Sequence, residues 1–196
     1  MQVSCSKDAL IVAYDFLVYN LRLADEADIP ALGDLMLRSM GQIGPLFYTP
    51  EQAEAAAKFL TIPDPTIIGD RTYFVVDRDG RIVGCGGWSK RRKLFTGSLE
   101  QETLSGDFLD PSTEAAKVRA MFVDPDHTRQ GIGESIFVAC EQAALEAGFS
   151  KIELMATLPG VPFYRRMGCL EEGEEDVQLP DGSLLPCLRM YKLLNK

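Results

Sequence analysis

The sequence of 196 residues contains one histidine and five cysteines, and no two cysteines form a C-x-x-C pair. Structural zinc sites need several His or Cys at short fixed spacings, and disulfide scaffolds need paired cysteines, so the composition supports neither, and no metal is expected. Cys5, Cys85, Cys140, Cys169 and Cys187 are scattered and odd in number, a usage that fits free thiols in a reducing, cytoplasmic setting. Positive charge is also short: 20 Lys+Arg against 29 Asp+Glu leave a net charge of −9. That field repels phosphate and argues against general duplex-DNA binding, while it suits a cationic partner. Long hydrophobic runs are missing as well. The apolar stretch 9–17 is broken by Asp15 and carries no cleavage pattern of a secretory signal, and nothing is long enough to span a bilayer. Neither nucleic acid nor membrane is an expected partner.

What is present is the composition of one soluble domain, 46% hydrophobic and 25% charged. Residues 1–20 read as an N-terminal extension, and residues 21–196 as the domain. Acidic residues and Pro30 open a helix over 31–40, with Leu32, Leu35, Met36 and Ser39 on one face. Thr49-Pro50-Glu51 caps a second helix over 52–60, which ends at the Pro63-Asp64-Pro65 cluster. Residues 72–76 and 81–85 flank an Asp79-Gly80 turn, a hairpin signature. Gly84, Gly86 and Gly87 near its end permit a bulge or a close approach to the backbone. Residues 89–111 have no period and form a long connection. A strand over 117–123 leads through a turn to a helix whose stripe is Ile132, Ile136, Cys140, Ala143 and Ala147. A strand over 151–156, a short helix over 162–167, and a final hairpin of 177–179 with 184–193 complete the order.

Chemistry concentrates where a strand and turn lead through Arg129-Gln130-Gly131-Ile132-Gly133 into a helix. A helix N-terminus leaves four N–H groups without partners and carries about half a positive charge, and glycines let a phosphate reach them. The Walker loop needs a Lys and an earlier Gly that are not here, and the dinucleotide fingerprint fails at Ser135 and Ile136. By themselves the two glycines fit a pyrophosphate cradle and a plain tight turn equally well.

Three stretches in order decide between these: Val118-Arg119-Ala120-Met121-Phe122-Val123-Asp124-Pro125, then Arg129-Gln130-Gly131-Ile132-Gly133, then Phe163-Tyr164-Arg165-Arg166-Met167-Gly168-Cys169. Together they resemble the GNAT superfamily of acyl-CoA-dependent N-acetyltransferases, over about residues 21–194. The resemblance implies an α/β (α+β) fold, with a mixed, mostly antiparallel twisted sheet of about seven strands, helices on both faces and splayed central strands at 117–123 and 151–156. It implies acetyl-CoA as co-substrate, with main-chain groups of Met121, Phe122 and Val123 on the pantetheine arm. The N–H groups of Arg129, Gln130, Gly131, Ile132, Gly133, Glu134 and Ser135 would hold the pyrophosphate. Thr128 stands where the family usually has Gln or Arg, a contact that Arg129 could replace, and Thr157 stands where it commonly has Asn. Tyr164, beside Phe163, is implied as the general acid at sulfur.

Freeing an alkyl amine of pKa about 10.4 at pH 7 costs about 4.6 kcal/mol, so a base or a water chain must accept that proton. The family's acid on these strands is missing from 118–123, which leaves Glu153, or Glu114 through a water, as base; Glu153 also reads as a solvated strand residue. Cys140 and Cys169 read as core thiols, and His127 as a surface residue more than a base. Lys90-Arg91-Arg92-Lys93 reads as a solvated cationic loop, and Glu171 to Asp176 as a solvated acidic turn. Trp88, Phe47 and Tyr48 are acceptor-site aromatics by position, with core packing as the alternative. The expected function is N-acetylation of a primary amine on a small-molecule or peptide acceptor. A catalytically idle acyl-CoA-binding module is the alternative, and a homodimer is left open.

Overall fold

A computed structural model describes residues 3–6, 9–14, 17–93 and 107–195, with side chains from Tyr19 onward. Its strands are β1 (Val3–Ser6), β2 (Ala9–Tyr14), β3 (Leu17–Leu23), β4 (Tyr73–Arg78), β5 (Arg81–Ser89), β6 (Ala116–Val123), β7 (Lys151–Thr157), β8 (Leu170–Gln178) and β9 (Leu184–Leu193). The helices are α1 (Ile29–Ile43), α2 (Pro50–Phe59), α3 (Pro65–Gly69), α4 (Ile132–Glu146) and α5 (Val161–Arg166). The strands lie in the order β1-β2-β3-β4-β5-β6-β7-β9-β8. Seven of them, β3 to β9, make the expected mixed sheet, and β1 and β2 continue it antiparallel from the β3 edge. Among the described residues, only β6 and β7 run parallel.

Alternation along the strands sends neighbouring side chains to opposite faces and so builds two of the three cores, the third joining Ala53 and Ala56 of α2 to Val177, Leu185 and Cys187 of β8 and β9. Val76 and Val83 join Ile132, Ile136, Phe137, Cys140 and Ala144 of α4 on one side. Val75 and Ile82 join Leu32, Leu35 and Met36 of α1 with Ile67 of α3 on the other. Local signals read from sequence take form here: the hairpin turn has Asp79 at φ 51° and Gly80 at φ 77°, both left-handed, as a type I′ turn requires. Thr49 and Gln52 form a reciprocal capping box on α2, with Pro50 at its first position.

Two stretches depart from the sequence reading. Residues 170–178, with their run of acids, are not a turn but the edge strand β8, whose residues are exposed except Val177. An edge strand paired on one side only needs its backbone, and acids facing water protect it from further pairing. The second is α3, capped by Asp64, whose side chain accepts from Thr66 N–H at 2.9 Å.

A bulge in β6 shapes the centre of the sheet. Cys85 pairs with Phe122 and Gly87 with Arg119, so one residue of β5 stands against two of β6. Ala120 takes a left-handed φ of 50° there, and the buried Tyr73 hydroxyl donates to its carbonyl at 2.7 Å. Gly86 sits opposite; a Cβ on it would lie 2.1 Å from Met121 Sδ. Beyond this point β6 no longer pairs with β7: the two are joined only at Ala116 with Ile152 and Lys117 with Glu153. Tyr73→Phe removes the hydroxyl that holds the bulge carbonyl, and a loss of about 0.5–1.5 kcal/mol is expected from its denaturation midpoint. An unchanged midpoint would detach Tyr73 from the bulge.

Candidate active site

The gap between β6 and β7 continues into a cavity of about 520 Å³. Met121, Phe122 and Val123 of β6 form one wall, and Thr157 of β7 with Pro159 and Gly160 the other. The C-terminal part of α1 supplies Ser39, Met40 and Ile43 with Gly44 beyond it. A smaller space of about 90 Å³ lies along the gap, sharing Met40, Met121, Phe122, Thr157, Gly160 and Tyr164 with the first.

At one end is the start of α4. Thr128, Arg129, Gly131, Ile132, Gly133 and Glu134 all line the cavity. Gly131 adopts φ 80° as the residue before the helix, and no side chain caps this terminus, so its first N–H groups are available to a ligand. A Cβ on Gly133 would come within 3.3 Å of the Phe163 ring, so glycine there lets the helix start against α5. One expected contact does not hold. The N–H of Ser135 donates to Gly131 O at 2.9 Å and closes the first turn, so it is already used within the helix. The side chain of Gln130 turns away from the cavity, where its Oε1 accepts from the Tyr19 hydroxyl and from Arg78 Nη1. Arg129 has a left-handed φ of 62°, strained for a residue with a side chain.

At the other end stands Tyr164, on α5. Its ring meets Phe163 at 5.1 Å and Phe137 at 5.8 Å between centroids, and Gly160 leaves room for it, since a Cβ there would lie 3.1 Å from Tyr164 Cε2. The residue is buried yet lines both spaces. Burial, reinforced by Cys169 and Cys140, pushes its phenol well above the usual tyrosine range, so it stays protonated. Glu153 is elsewhere: its carboxylate is held by Lys117 across the last paired rung of β6 and β7, and it lines neither space. Glu114 is bound to Arg92 and to the Asp110 N–H.

His127 was expected on the surface but lines the cavity, with Nδ1 3.4 Å from Asp124 Oδ1. Arg166 lines it too. Sequence reasoning missed both, together with the α1 wall; the only available signal was the three-residue step from Asp124 to His127. The cationic run at 90–93 is not simply solvated: Arg91 pairs with Asp70, Arg92 with Glu114 and Lys93 with Asp64. Trp88 packs edge-on against Phe149 in the core. Tyr48 is buried, donating to Pro186 O at 3.0 Å and accepting from Leu158 N–H at 2.8 Å, and Phe47 is exposed; neither lines the cavity. The Cys140 and Cys169 thiols are buried and pushed up, Cys169 to about 11, first by desolvation, which leaves them inert. Among the described residues no three or more His, Cys, Asp or Glu gather as a metal site, and no helix is long and apolar enough to cross a membrane.

Solved structures with the same architecture include a GCN5-related N-acetyltransferase from Rhodopseudomonas palustris, at TM-score 0.67 and 19% identity, covering 89% of this chain and 94% of that one. The PaiA N-acetyltransferase from Thermoplasma acidophilum in complex with coenzyme A is similar at TM-score 0.57 and 12% identity, covering 89% and 98%. A ribosomal-protein-alanine N-acetyltransferase from Brucella melitensis is similar at TM-score 0.57 and 18% identity, covering 89% and 99%. At these identities the likeness is one of fold. No curated protein matches the sequence. Residues 41–169 match the acetyltransferase (GNAT) family, a span that takes in the end of α1, the opened strands, the uncapped start of α4 and Tyr164, and the chain therefore belongs to that family.

Proposed function

We propose that this chain transfers acetyl from acetyl-CoA to a primary amine of a small-molecule or peptide acceptor, by direct attack and without a covalent enzyme intermediate. One observation carries the reading: a single cavity runs from the uncapped N-terminus of α4, along the unpaired edge of β6, to a protonated phenol. The similar structure from Thermoplasma acidophilum was solved with coenzyme A, which supports the same ligand here.

The residues fit the coenzyme chemically. The N–H groups at Gly131 to Glu134 and the side chains of Arg129 and Arg166 suit a diphosphate. The backbone of Met121 to Val123, unpaired on the β7 side, can pair with the amides of a pantetheine arm as another strand would. Acetyl-CoA supplies the acyl group as a thioester, which a neutral amine attacks as the thiol leaves. Tyr164 holds a proton at Oη and can donate it to the departing sulfur. Its raised pKa sets the sign: below about pH 10 the phenol remains the acid, so no alkaline loss of turnover below that range belongs to Tyr164. The proton of the acceptor amine leaves through water, because Lys117 engages Glu153. That engagement also favours the second reading, an acyl-CoA-binding module without turnover.

Calorimetric titration with acetyl-CoA, followed by thiol release across a broad amine panel, tests the proposal. Binding with turnover supports it, and tight binding with thiol release at background for every amine favours the second reading. Tyr164→Phe is expected to lower turnover by about 10²-fold while acetyl-CoA affinity stays unchanged; equal turnover would remove the acid role. Gly131→Asp has open space for its side chain but puts an L residue at φ 80°, so Gly131→Ala, which carries the same strain without the charge, is its control. The added carboxylate beside the diphosphate is expected to weaken acetyl-CoA binding by about tenfold or more, and undiminished affinity would remove α4 from the phosphate site.

A further inference from the structure

The single histidine of the sequence faces the coenzyme end of the cavity with one nitrogen turned inward. His127 Nδ1 is buried 3.4 Å from Asp124 Oδ1, an electrostatic contact without a hydrogen bond, and the residue lines the cavity. Asp124 is itself buried and anionic. Burial pushes its carboxyl up, but the Asp126 N–H, His127, Arg38 of α1 and Arg81 of β5 outweigh this and hold it below the usual carboxylate range. The negative field of the nearby carboxylate favours a proton on Nδ1, so in a neutral ring Nε2 is the bare lone pair. A lone pair facing an anion is repelled. A second proton turns the same atom into a charged donor.

We propose that His127 binds the diphosphate of the coenzyme as a cation, with Nε2–H donating to a phosphate oxygen, so that coenzyme binding takes up a proton. The inference rests on the coenzyme reading above. No bond is made or broken: the proton comes from solvent onto Nε2 and returns to solvent when the ligand leaves. The other charged groups around this end are Arg129 before α4, Glu134 in its first turn, Arg166 of α5 and Asp126 in the same turn as His127. Arg129 and Arg166 attract the diphosphate, while Glu134 and Asp126 oppose it. Among side chains, histidine is the type whose charge ordinarily changes between about pH 5 and 8, which makes His127 the residue to test for a pH-dependent affinity.

The sequence makes the test direct, because a single histidine gives a single imidazole C2–H proton resonance. The probe is 3′-dephospho-coenzyme A, since the 3′-phosphate of coenzyme A itself titrates near pH 6, whereas the diphosphate does not. With the probe bound, the His127 resonance is expected to titrate at a higher pH than in the free protein. The dissociation constant is expected to fall by about tenfold between about pH 8 and pH 5.5, and His127→Gln to bind equally at both. A bound midpoint that is unmoved or lower, or a His127→Gln protein that keeps the pH slope, overturns the proposal while leaving the coenzyme site in place. A probe that binds at no pH overturns the coenzyme reading and this inference with it.

Discussion

Two parallel strands that touch for only two residue pairs create the constraint on which the rest of this molecule turns. Past Lys117 and Glu153 the β7-facing edge of β6 has no strand to pair with, although it lies in the middle of the sheet. Backbone groups in such a position need partners, from water or from a ligand of the right shape. The bulge at Ala120 adds to the separation by inserting a residue and increasing local twist. Tyr73 fixes the bulge from β4, and Gly86 accommodates Met121 from β5, so the opening is built into three strands. Lys117 and Glu153 are the last rung before it, an ion pair that marks where pairing ends.

The surroundings of the opening follow from this placement. The turn after β6 delivers the chain to the start of α4, whose N–H groups face the same space that β6 leaves unpaired. Gly84 makes that packing possible, since a Cβ there would fall 2.3 Å from Ile132 Cγ2 at the first turn of the helix. On the far side, Tyr48 ties β9 to the residues after β7 through Pro186 and Leu158, which steadies the wall opposite β6. A chain of net charge −9 thus gathers Arg129, Arg166 and a helix N-terminus at one mouth. The global acidity disfavours general affinity for nucleic acid, while the local arrangement concentrates positive charge at that mouth.

Features set by neighbouring residues were legible in the sequence. The Asp79-Gly80 turn, the capped α2 and the helix before Gly148 depend on a few adjacent positions, and their signals appear intact. On α4 the stripe is displaced slightly: Ala144 is fully buried and Ala143 only partly, because Phe137 also enters the core and turns the buried face toward it. Features set by distant partners were not legible. The run from Leu170 to Gln178 lacks the alternation of a half-buried strand, and only pairing with β9 makes it one. The same holds for Gln130, drawn to Tyr19 and Arg78 from strands far away in sequence, and for Glu153, which sequence alone leaves between solvent and site. His127 is the sharpest case: charged neighbours suggest a surface turn, whereas Asp124 below it draws the ring inward.

Asp124 explains why that turn keeps its shape. Its oxygens accept from Asp126 N–H at 3.0 Å and from Arg38 at 2.7 Å, with Arg81 at 3.5 Å, so one buried carboxylate joins α1, β5 and the loop before α4. A buried charge is stable only when its partners are complete, and removing one strands the other. Because the folded carboxyl is held below its unfolded range, this hub stabilises the fold above about pH 4 and loses that contribution as acid protonates it. It remains anionic throughout the interval in which a histidine changes charge. The support under His127 therefore stays charged across that interval, and a proton on the ring can alter the charge presented to the cavity without releasing α1 from the loop before α4.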